Sequence, residues 1–351
     1  MKINMKQYGL TDRFAALASV YDELSVGRVI LQEKGMYHII TGTGEYIAEI
    51  SGKFRYNAKT VSDYPVVGDF VMAEIIGSDR AVIHHILERK SSFVRKAAGT
   101  NRKEQVIAAN IDTVFICMSL NNDYNLRRLE RYLAIGLDSG ANPVIVLTKS
   151  DLCNDTNNII SEIKNIVFGT DILVTTTALQ EGYSQILPYI TEGKTVAFIG
   201  SSGVGKSTLI NCLLGENRLS TNGLRNDDKG RHTTTHRELI LISDGGVVID
   251  TPGMRELGMW DSDAGVDLTF ADIEKLASQC KFKNCTHTNE KGCAVSEALE
   301  KGELSEERCK SYKKLKAEIA YAADSESYLA GKERKFKEIA KFNKKNKKGK
   351  F

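Results

Sequence analysis

Residues with the types and spacing needed to bind phosphate lie in the middle of the chain. The stretch GSSGVGKST, which begins at Gly200, satisfies the pattern G-x-x-x-x-G-K-[ST]. The apolar run TVAFIG precedes it and the pattern KSTLINCLLG follows it, so we expect a strand, a tight loop and a helix. Glycines allow backbone N–H groups to point inward around a β-phosphate. The predicted phosphate loop comprises Gly200, Ser201, Ser202, Gly203, Val204, Gly205, Lys206, Ser207 and Thr208.

Other residues have the chemistry to handle a nucleoside triphosphate and its Mg²⁺. Lys206 would neutralise β- and γ-phosphate oxygens, and the Ser207 hydroxyl would bind Mg²⁺. Downstream, VVIDTPG ends an apolar strand with the pattern D-x-x-G. We expect Asp250 in the Mg²⁺ shell and the Gly253 N–H beside the γ-phosphate.

The polar segment GRHTTTH, residues 230–236, lies between these two motifs. One of its threonine hydroxyls would complete the Mg²⁺ coordination when a γ-phosphate is present. We favour Thr234, while Thr233 and Thr235 stay open, and a plain loop is the alternative.

Two further patterns have the chemistry to recognise a guanine base. Guanine offers an N1–H and a 2-amino group, and one carboxylate can accept both hydrogen bonds. The strand pattern VIVLTKSDL ends with Thr148, Lys149 and Asp151 in the arrangement T-K-x-D. The next strand pattern, VTTTAL, ends with Thr177 and Ala178, which could present a backbone N–H to guanine O6. Adenine cannot match this donor pattern, so Asp151 disfavours an ATP-dependent enzyme.

Both base-reading motifs precede the phosphate loop, although in most such domains they follow it. A sheet tolerates this reordering if the original termini lie close together and the new termini fall in a loop. The motif order therefore predicts a circularly permuted P-loop GTPase domain with a mostly parallel sheet.

The position after D-x-x-G, where small GTPases commonly carry a water-orienting Gln, is Met254. Its thioether cannot orient the attacking water, so we expect the isolated protein to hydrolyse GTP slowly and a partner to assist. His232 is the nearest candidate in sequence for positioning that water. A structural hydrogen bond within its loop is the alternative role for His232.

The stretch CKFKNCTHTNEKGC has the spacing of a metal site. Three thiolates and one imidazole complete a tetrahedral Zn²⁺ set and leave no position for a catalytic water. We therefore predict one structural zinc, with a catalytic site or unrelated free thiols as the alternatives. The predicted ligands are Cys280, Cys285, His287 and Cys293.

Residues from about 24 to 92 have the pattern of short β segments separated by turn glycines. This pattern favours a small β-barrel of the oligonucleotide-binding type, with an unrelated small β domain as the alternative. From Ile111 onward strands alternate with helices, which indicates a mostly parallel sheet covered by helices. Basic residues near the barrel could line a nucleic-acid face or be ordinary surface: Lys53, Arg55, Arg95, Lys96, Arg102 and Lys103.

The length suggests two or three domains, and the N-terminus lacks an apolar signal core, so we expect a cytoplasmic protein. The chain has 351 residues, 42% hydrophobic and 26% charged, without an apolar run near the roughly 20 residues that span a bilayer. Residues 331–351 hold ten basic and two acidic side chains, whereas the rest holds 38 basic and 43 acidic ones. Such a tail suits a polyanionic partner or a disordered solubilising role.

We expect a barrel for RNA binding at 1–98, the permuted GTPase domain at 99–271, a helical zinc domain at 272–330 and a basic tail at 331–351.

The combination resembles the bacterial small ribosomal subunit biogenesis GTPases, the RsgA family. The resemblance covers nearly the whole chain and is carried by the motif order with GSSGVGKST, GRHTTTH, DTPGMRE, VVGD and the cysteine cluster. It implies GTP hydrolysis stimulated by the small ribosomal subunit in late subunit maturation, with the barrel and zinc domain contacting ribosomal RNA. Thr148 stands where many members have Asn, and the lysine-rich tail matches no family motif.

The expected cofactors are GTP or GDP, Mg²⁺ and one structural Zn²⁺. The expected partner is the small ribosomal subunit with its rRNA, bound by a monomer away from any membrane. A second hypothesis is an RNA-binding assembly factor that acts on a different structured RNA and uses GTP as a release timer.

Overall fold

The computed structural model describes most of the chain in nine stretches. They are residues 2–33, 35–96, 104–167, 169–179, 181–219, 237–242, 245–250, 263–288 and 290–323. By their contacts, the described residues divide into two compact units, Met1–Gly258 and Met259–Phe351. The predicted segment boundaries at residues 98, 271 and 330 stay predictions.

The N-terminal strands form a closed barrel. They are β1 (Ser25–Gln32), β2 (Tyr37–Thr41), β3 (Glu45–Ile50), β4 (Phe70–Ile76) and β5 (Arg80–Ile86). Within the described residues their order is β1-β2-β3-β5-β4 and back to β1, with β3 and β5 parallel. Buried and exposed residues alternate along the first four positions of β3, as a barrel wall requires. The predicted oligonucleotide-binding type of barrel is confirmed. Two short helices accompany it, α1 (Asp12–Ala18) and α2 (Gly52–Asn57).

A hairpin of β6 (Ser92–Lys96) and β7 (Glu104–Ala109) precedes an α/β region. Its strands are β8 (Thr113–Ser119), β9 (Asn142–Thr148), β10 (Ile172–Val174), β11 (Thr195–Ile199), β12 (Arg237–Leu241) and β13 (Val247–Asp250). Its helices are α3 (Leu126–Asp138), α4 (Thr156–Lys164) and α5 (Lys206–Leu214). The strand order is β10-β9-β8-β11-β13-β12, and among the described strands β12 runs antiparallel to β13 while the other neighbours are parallel. All seven residues of β8 are buried, as in a sheet covered on both faces. The predicted mostly parallel sheet is confirmed.

One backbone pairing joins the barrel to this sheet. Strand β1 pairs antiparallel with β12, with Leu31 opposite Glu238 and Gln32 opposite Arg237. The described strands therefore form one eleven-stranded sheet that runs from β10 into the barrel. The sequence patterns did not predict this pairing, because a strand's alternation does not specify which distant strand it pairs with.

The residues V-V-G-D, 66–69, lie where the barrel meets the α/β region. Gly68 donates its N–H to the Val29 carbonyl at 2.9 Å, and its own carbonyl accepts from Asn110 Nδ2 at 3.0 Å. Its φ is +93°, and a Cβ there would lie 2.2 Å from the Ala109 carbonyl oxygen and 2.8 Å from Ile249. Only glycine fits at this approach of the two backbones.

The second unit is helical over its described residues. Its helices are α6 (Ala264–Thr269), α7 (Ala271–Ala277), α8 (Ala294–Glu300) and α9 (Glu306–Ala323). Arg308 on α9 donates two hydrogen bonds of 2.7 Å to the Asp272 carboxylate and lies over the Phe270 ring at 4.7 Å. This ion pair, in which Arg308 is buried and Asp272 is partly exposed, fixes α9 against α7. Among the described helices of the whole chain, none is both long enough and apolar enough to cross a membrane.

We predict that Gly68→Ala destabilises the protein by at least about 3 kcal/mol, because the added Cβ meets backbone that cannot move aside cheaply. Gly77→Ala is the matched control, since φ is +72° there and a Cβ would have nothing within 4 Å. The control should lose only about 1 kcal/mol through backbone strain. Urea unfolding followed by circular dichroism measures both losses, and equal losses would contradict the close packing at Gly68.

Candidate functional site

The predicted phosphate loop, residues 200–208 and called the P-loop below, runs from the end of β11 into the first turn of α5. Three of its residues have positive φ: Gly200 at +140°, Gly203 at +79° and Gly205 at +102°. A Cβ at Gly200 would lie 2.4 Å from the Cys117 carbonyl oxygen of the neighbouring strand. The curl of the loop therefore depends on glycine, as the motif predicted.

Lys206 begins α5 and is buried. Its ammonium group donates to the carbonyls of Gly200 and Ser201, both at 2.6 Å, so it lies against the P-loop it belongs to. Ser207 and Thr208 follow in the first turn of the same helix, and both are partly exposed. Asp250 ends β13, which runs parallel to β11, and so lies at the same edge of the sheet.

The base motif, residues 148–151, is attached directly to the P-loop. Thr148 ends β9, and its hydroxyl donates to the Val204 carbonyl at 2.6 Å. Lys149, with φ of +57°, donates its ammonium to the Gly203 carbonyl at 2.7 Å. The Thr148 hydroxyl therefore supplies a hydrogen bond between the base motif and the P-loop.

Thr176 joins the base motif to the second base loop, although no sequence motif identified it as a candidate site residue. Its buried hydroxyl donates to Asp151 Oδ1 and accepts the backbone N–H of Ala178 at 3.1 Å. It therefore fixes the carboxylate of Asp151 relative to the second base loop, Thr177 and Ala178. The only available signal was the run TTT at 175–177, and a run of identical residues does not indicate which hydroxyl points inward.

These elements surround a small cleft at the carboxyl edge of the sheet. The base motif, the second base loop and the start of α5 all line this cleft, although they are far apart along the chain. The lining residues are Thr148, Lys149, Thr175, Thr176, Thr177, Gly205, Thr208 and Leu209. The P-loop lies where the strand order reverses, between β11 and β8, which is where open α/β sheets bind ligands.

Several predicted site residues lie outside the described part of the chain. They are His232, Thr233, Thr234, Thr235, Gly253 and Met254. Their roles, including which threonine binds Mg²⁺, therefore stay predictions.

The predicted zinc ligands converge in the second unit. The ligand atoms of Cys280, Cys285, His287 and Cys293 all lie within 4.8 Å of one another. His287 Nδ1 is 3.6 Å from the Cys280 sulfur and 3.5 Å from the Cys293 sulfur, and these sulfurs are 3.9 Å apart. Sulfur ligands of a tetrahedral zinc with Zn–S bonds of about 2.3 Å lie about 3.8 Å apart. The cluster fits Zn²⁺ in both chemistry and size.

Neighbouring groups support this cluster. Burial opposes ionisation of Cys293, but hydrogen bonds from Ser296 and His287 lower its pKa, which favours the thiolate form that binds a metal. Glu290 accepts the N–H groups of Thr286 at 2.9 Å and Thr288 at 2.8 Å, which closes the turn on either side of His287. The turn thus holds the imidazole toward the three sulfurs.

The fold and the site together define a class of protein. If the strands are numbered from β11 through β13 and then from β8 through β10, their order in the sheet is 2-3-1-4-5-6. The P-loop follows the first of these strands, and the base motif follows the fifth. This is a P-loop GTPase domain whose halves are exchanged along the chain.

Comparison with known proteins gives the family. A family model for the RsgA GTPase matches residues 86–260. The small ribosomal subunit biogenesis GTPase RsgA 2 of Lactiplantibacillus plantarum is 48% identical over 92% of this chain and 91% of its own. RsgA 1 of Oceanobacillus iheyensis is 46% identical over 92% of this chain and 93% of its own. This chain belongs to the RsgA family, as the motifs predicted.

Solved structures agree with this assignment. The crystal structure of YjeQ from Thermotoga maritima superposes with a TM-score of 0.64 and 26% identity, over 85% of this chain and 99% of that one. YloQ, described as a circularly permuted GTPase, gives a TM-score of 0.60 and 27% identity, over 85% and 95% of the two chains. The predicted permutation is confirmed.

We predict one zinc ion per chain, lost on Cys293→Ser because a neutral hydroxyl replaces a thiolate ligand. Elemental analysis of the purified protein measures the stoichiometry. Cys309→Ala is the matched control, since Cys309 is a buried thiol of the same unit outside the cluster, and it should keep the metal. Wild-type protein without zinc, or equal loss from both variants, would contradict the assignment.

Proposed function

We propose that this protein is a GTPase that binds the small ribosomal subunit and hydrolyses GTP late in the maturation of that subunit. The proposal rests on one hydrogen bond, from the Thr148 hydroxyl to the Val204 carbonyl. This bond places the residues that would recognise guanine directly beside the loop that would bind the phosphates. The names of its relatives as small ribosomal subunit biogenesis GTPases supply the process.

Asp151 would read the guanine base. Its carboxylate, oriented by Thr176, would accept both the N1–H and the 2-amino group. A backbone N–H of the second base loop, at Thr177 or Ala178, would donate to guanine O6. Lys149 lies between the cleft and the P-loop and would cover one face of the base with its aliphatic stem.

The P-loop and the carboxyl end of β13 would bind the phosphates and Mg²⁺. Backbone N–H groups of residues 200–207 would surround the β-phosphate, and Lys206 would exchange its carbonyl partners for β- and γ-oxygens. Ser207, Thr234 and Asp250 would hold Mg²⁺ directly or through water. When bound, the ion neutralises charge that develops on the phosphates.

Hydrolysis by the isolated chain should be slow because Met254 offers no hydrogen bond to the attacking water. We assign the positioning of that water to His232 in the complex with the ribosomal subunit. The subunit would thus complete the catalytic site, and GTP hydrolysis would report that binding has taken place.

The barrel and the zinc-bearing unit are the proposed contacts to ribosomal RNA. Their basic side chains supply a sequence-independent attraction to phosphate, and the zinc holds a small unit rigid enough to dock. The protein would act as a monomer in the cytoplasm.

The test is GTP turnover with and without purified small ribosomal subunits. Subunits should raise the turnover rate at least about tenfold, as expected when a partner completes a GTPase site. Lys206→Ala should lose activity in both conditions, and His232→Ala should lose the stimulation while keeping the slow basal rate. Unchanged turnover with subunits would contradict the proposed partner, and equal stimulation by an unrelated structured RNA would favour the alternative of a different RNA target.

We further predict that Asp151→Asn weakens GDP binding at least about tenfold and improves binding of xanthosine diphosphate, because an amide can donate to the xanthine 2-oxygen. Thr176→Ala should weaken GDP binding without any gain for the xanthine nucleotide, since it disorients the carboxylate but keeps its charge. Competition against a fluorescent GDP analogue measures both. Retained guanine preference in Asp151→Asn would contradict the base assignment.

A further inference from the structure

A basic side chain outside the family motifs contacts the P-loop. Arg128 lies in the first turn of α3, where the Asn125 side chain caps the helix by accepting the Arg128 N–H at 3.0 Å. Its Nη1 donates to the Ser201 hydroxyl oxygen at 2.7 Å. None of the motifs that carry the family resemblance contains Arg128.

The guanidinium is held in place by an acidic partner. Arg128 Nη1 lies 3.1 and 3.0 Å from the two carboxylate oxygens of Asp123, and Nη2 lies 3.1 Å from one of them. Asp123 itself belongs to an ordered turn, because its N–H donates to Asn121 Oδ1 at 3.0 Å and that oxygen also accepts from the Ser119 hydroxyl at 2.9 Å. Since Ser119 ends β8, the guanidinium is fixed to the strand beside β11.

The described contacts hold the P-loop at both of its ends. Thr148 and Lys149 bind the carbonyls of its second half, at Val204 and Gly203. Arg128 binds the side chain of Ser201 at its beginning, where Gly200 leaves the sheet. The base motif therefore anchors one end of the loop and α3 anchors the other.

We propose that Arg128 is a positioning residue for nucleotide binding, which acts through Ser201 to keep the P-loop in the shape that accepts a diphosphate. The proposal rests on the proposed function, because it concerns the same guanine-nucleotide site. A loop ordered before binding loses less conformational freedom when its N–H groups meet phosphate. A hydrogen bond to a charged donor is strong enough to supply that order, provided that the donor is itself fixed.

This route differs from two others by which Arg128 could act. An exposed ion pair with Asp123 alone would have almost no effect on nucleotide binding. A long-range attraction between the guanidinium and the phosphates would not need the Ser201 hydroxyl and would weaken with added salt. The side chains of Arg128 and Asp123 are 30% and 44% exposed, so salt is able to reach them.

The test measures dissociation of a fluorescent GDP analogue by stopped flow in four variants. Arg128→Met should raise the equilibrium dissociation constant about tenfold, mainly through faster dissociation, as expected for losing one charge-assisted hydrogen bond. Ser201→Ala should act in the same direction, and the double variant should be no weaker than Arg128→Met. Arg127→Gln is the matched control, because Arg127 is 33% exposed on the same helix and binds the buried Glu130 instead. Glutamine can still donate a hydrogen bond to that carboxylate, so this variant should bind the GDP analogue as wild type does.

A steady-state measurement with GTP and small ribosomal subunits separates positioning from chemistry. Arg128→Met should raise KM and leave kcat within about twofold, and Arg128→Lys should restore part of the affinity. A fall in kcat without a change in KM, additive losses in the double variant, or wild-type binding by Arg128→Met would each overturn the inference. If Arg128→Met fails to fold, Ser201→Ala decides alone, and unchanged dissociation in that variant overturns the inference. Wild-type protein that binds no GDP analogue would contradict the proposed function itself.

Discussion

The hydrogen bond from the Thr148 hydroxyl to the Val204 carbonyl joins two parts of the site that the chain presents in reversed order. It is possible because β9, β8 and β11 are parallel neighbours, so that their carboxyl ends meet at one edge of the sheet. That edge, and not the order of segments along the chain, determines which loops form the cleft. A permuted chain can therefore keep the same site, provided that each strand keeps its neighbours.

A second constraint makes the barrel part of the same unit. Strand β1 pairs with β12, and β12 begins directly after residues 230–236, the threonine segment predicted to sense the γ-phosphate. The fully buried Arg28 on β1 donates to the Tyr8 carbonyl and to the Thr195 hydroxyl at the start of β11. Burial lowers the pKa of Arg28 to about 10, which still leaves it charged at neutral pH. A buried guanidinium destabilises the fold if its hydrogen-bond partners move away. The bonds of Arg28 therefore hold the barrel and the sheet in one arrangement.

Local patterns predicted much of this molecule. The P-loop, the permuted motif order and the zinc ligands could be found because each is defined by spacing within a short stretch of chain. The barrel could be predicted because short β segments separated by turn glycines follow one another in residues 24 to 92. The pairing of β1 with β12 could not, since strand alternation does not name a distant partner. Thr176 and Arg128 were missed for a related reason: their roles depend on which side chain reaches Asp151 or Ser201 in space, and no short motif records that.

We expect the base motif, which precedes the P-loop along the chain, to make this site specific for guanine. Isothermal titration of the wild-type protein with GDP and with ADP tests it most directly. We expect one GDP site per chain and at least about 100-fold weaker binding of ADP, because adenine lacks the N1–H and 2-amino donors that the Asp151 carboxylate would accept. Equal affinity for the two nucleotides would contradict it.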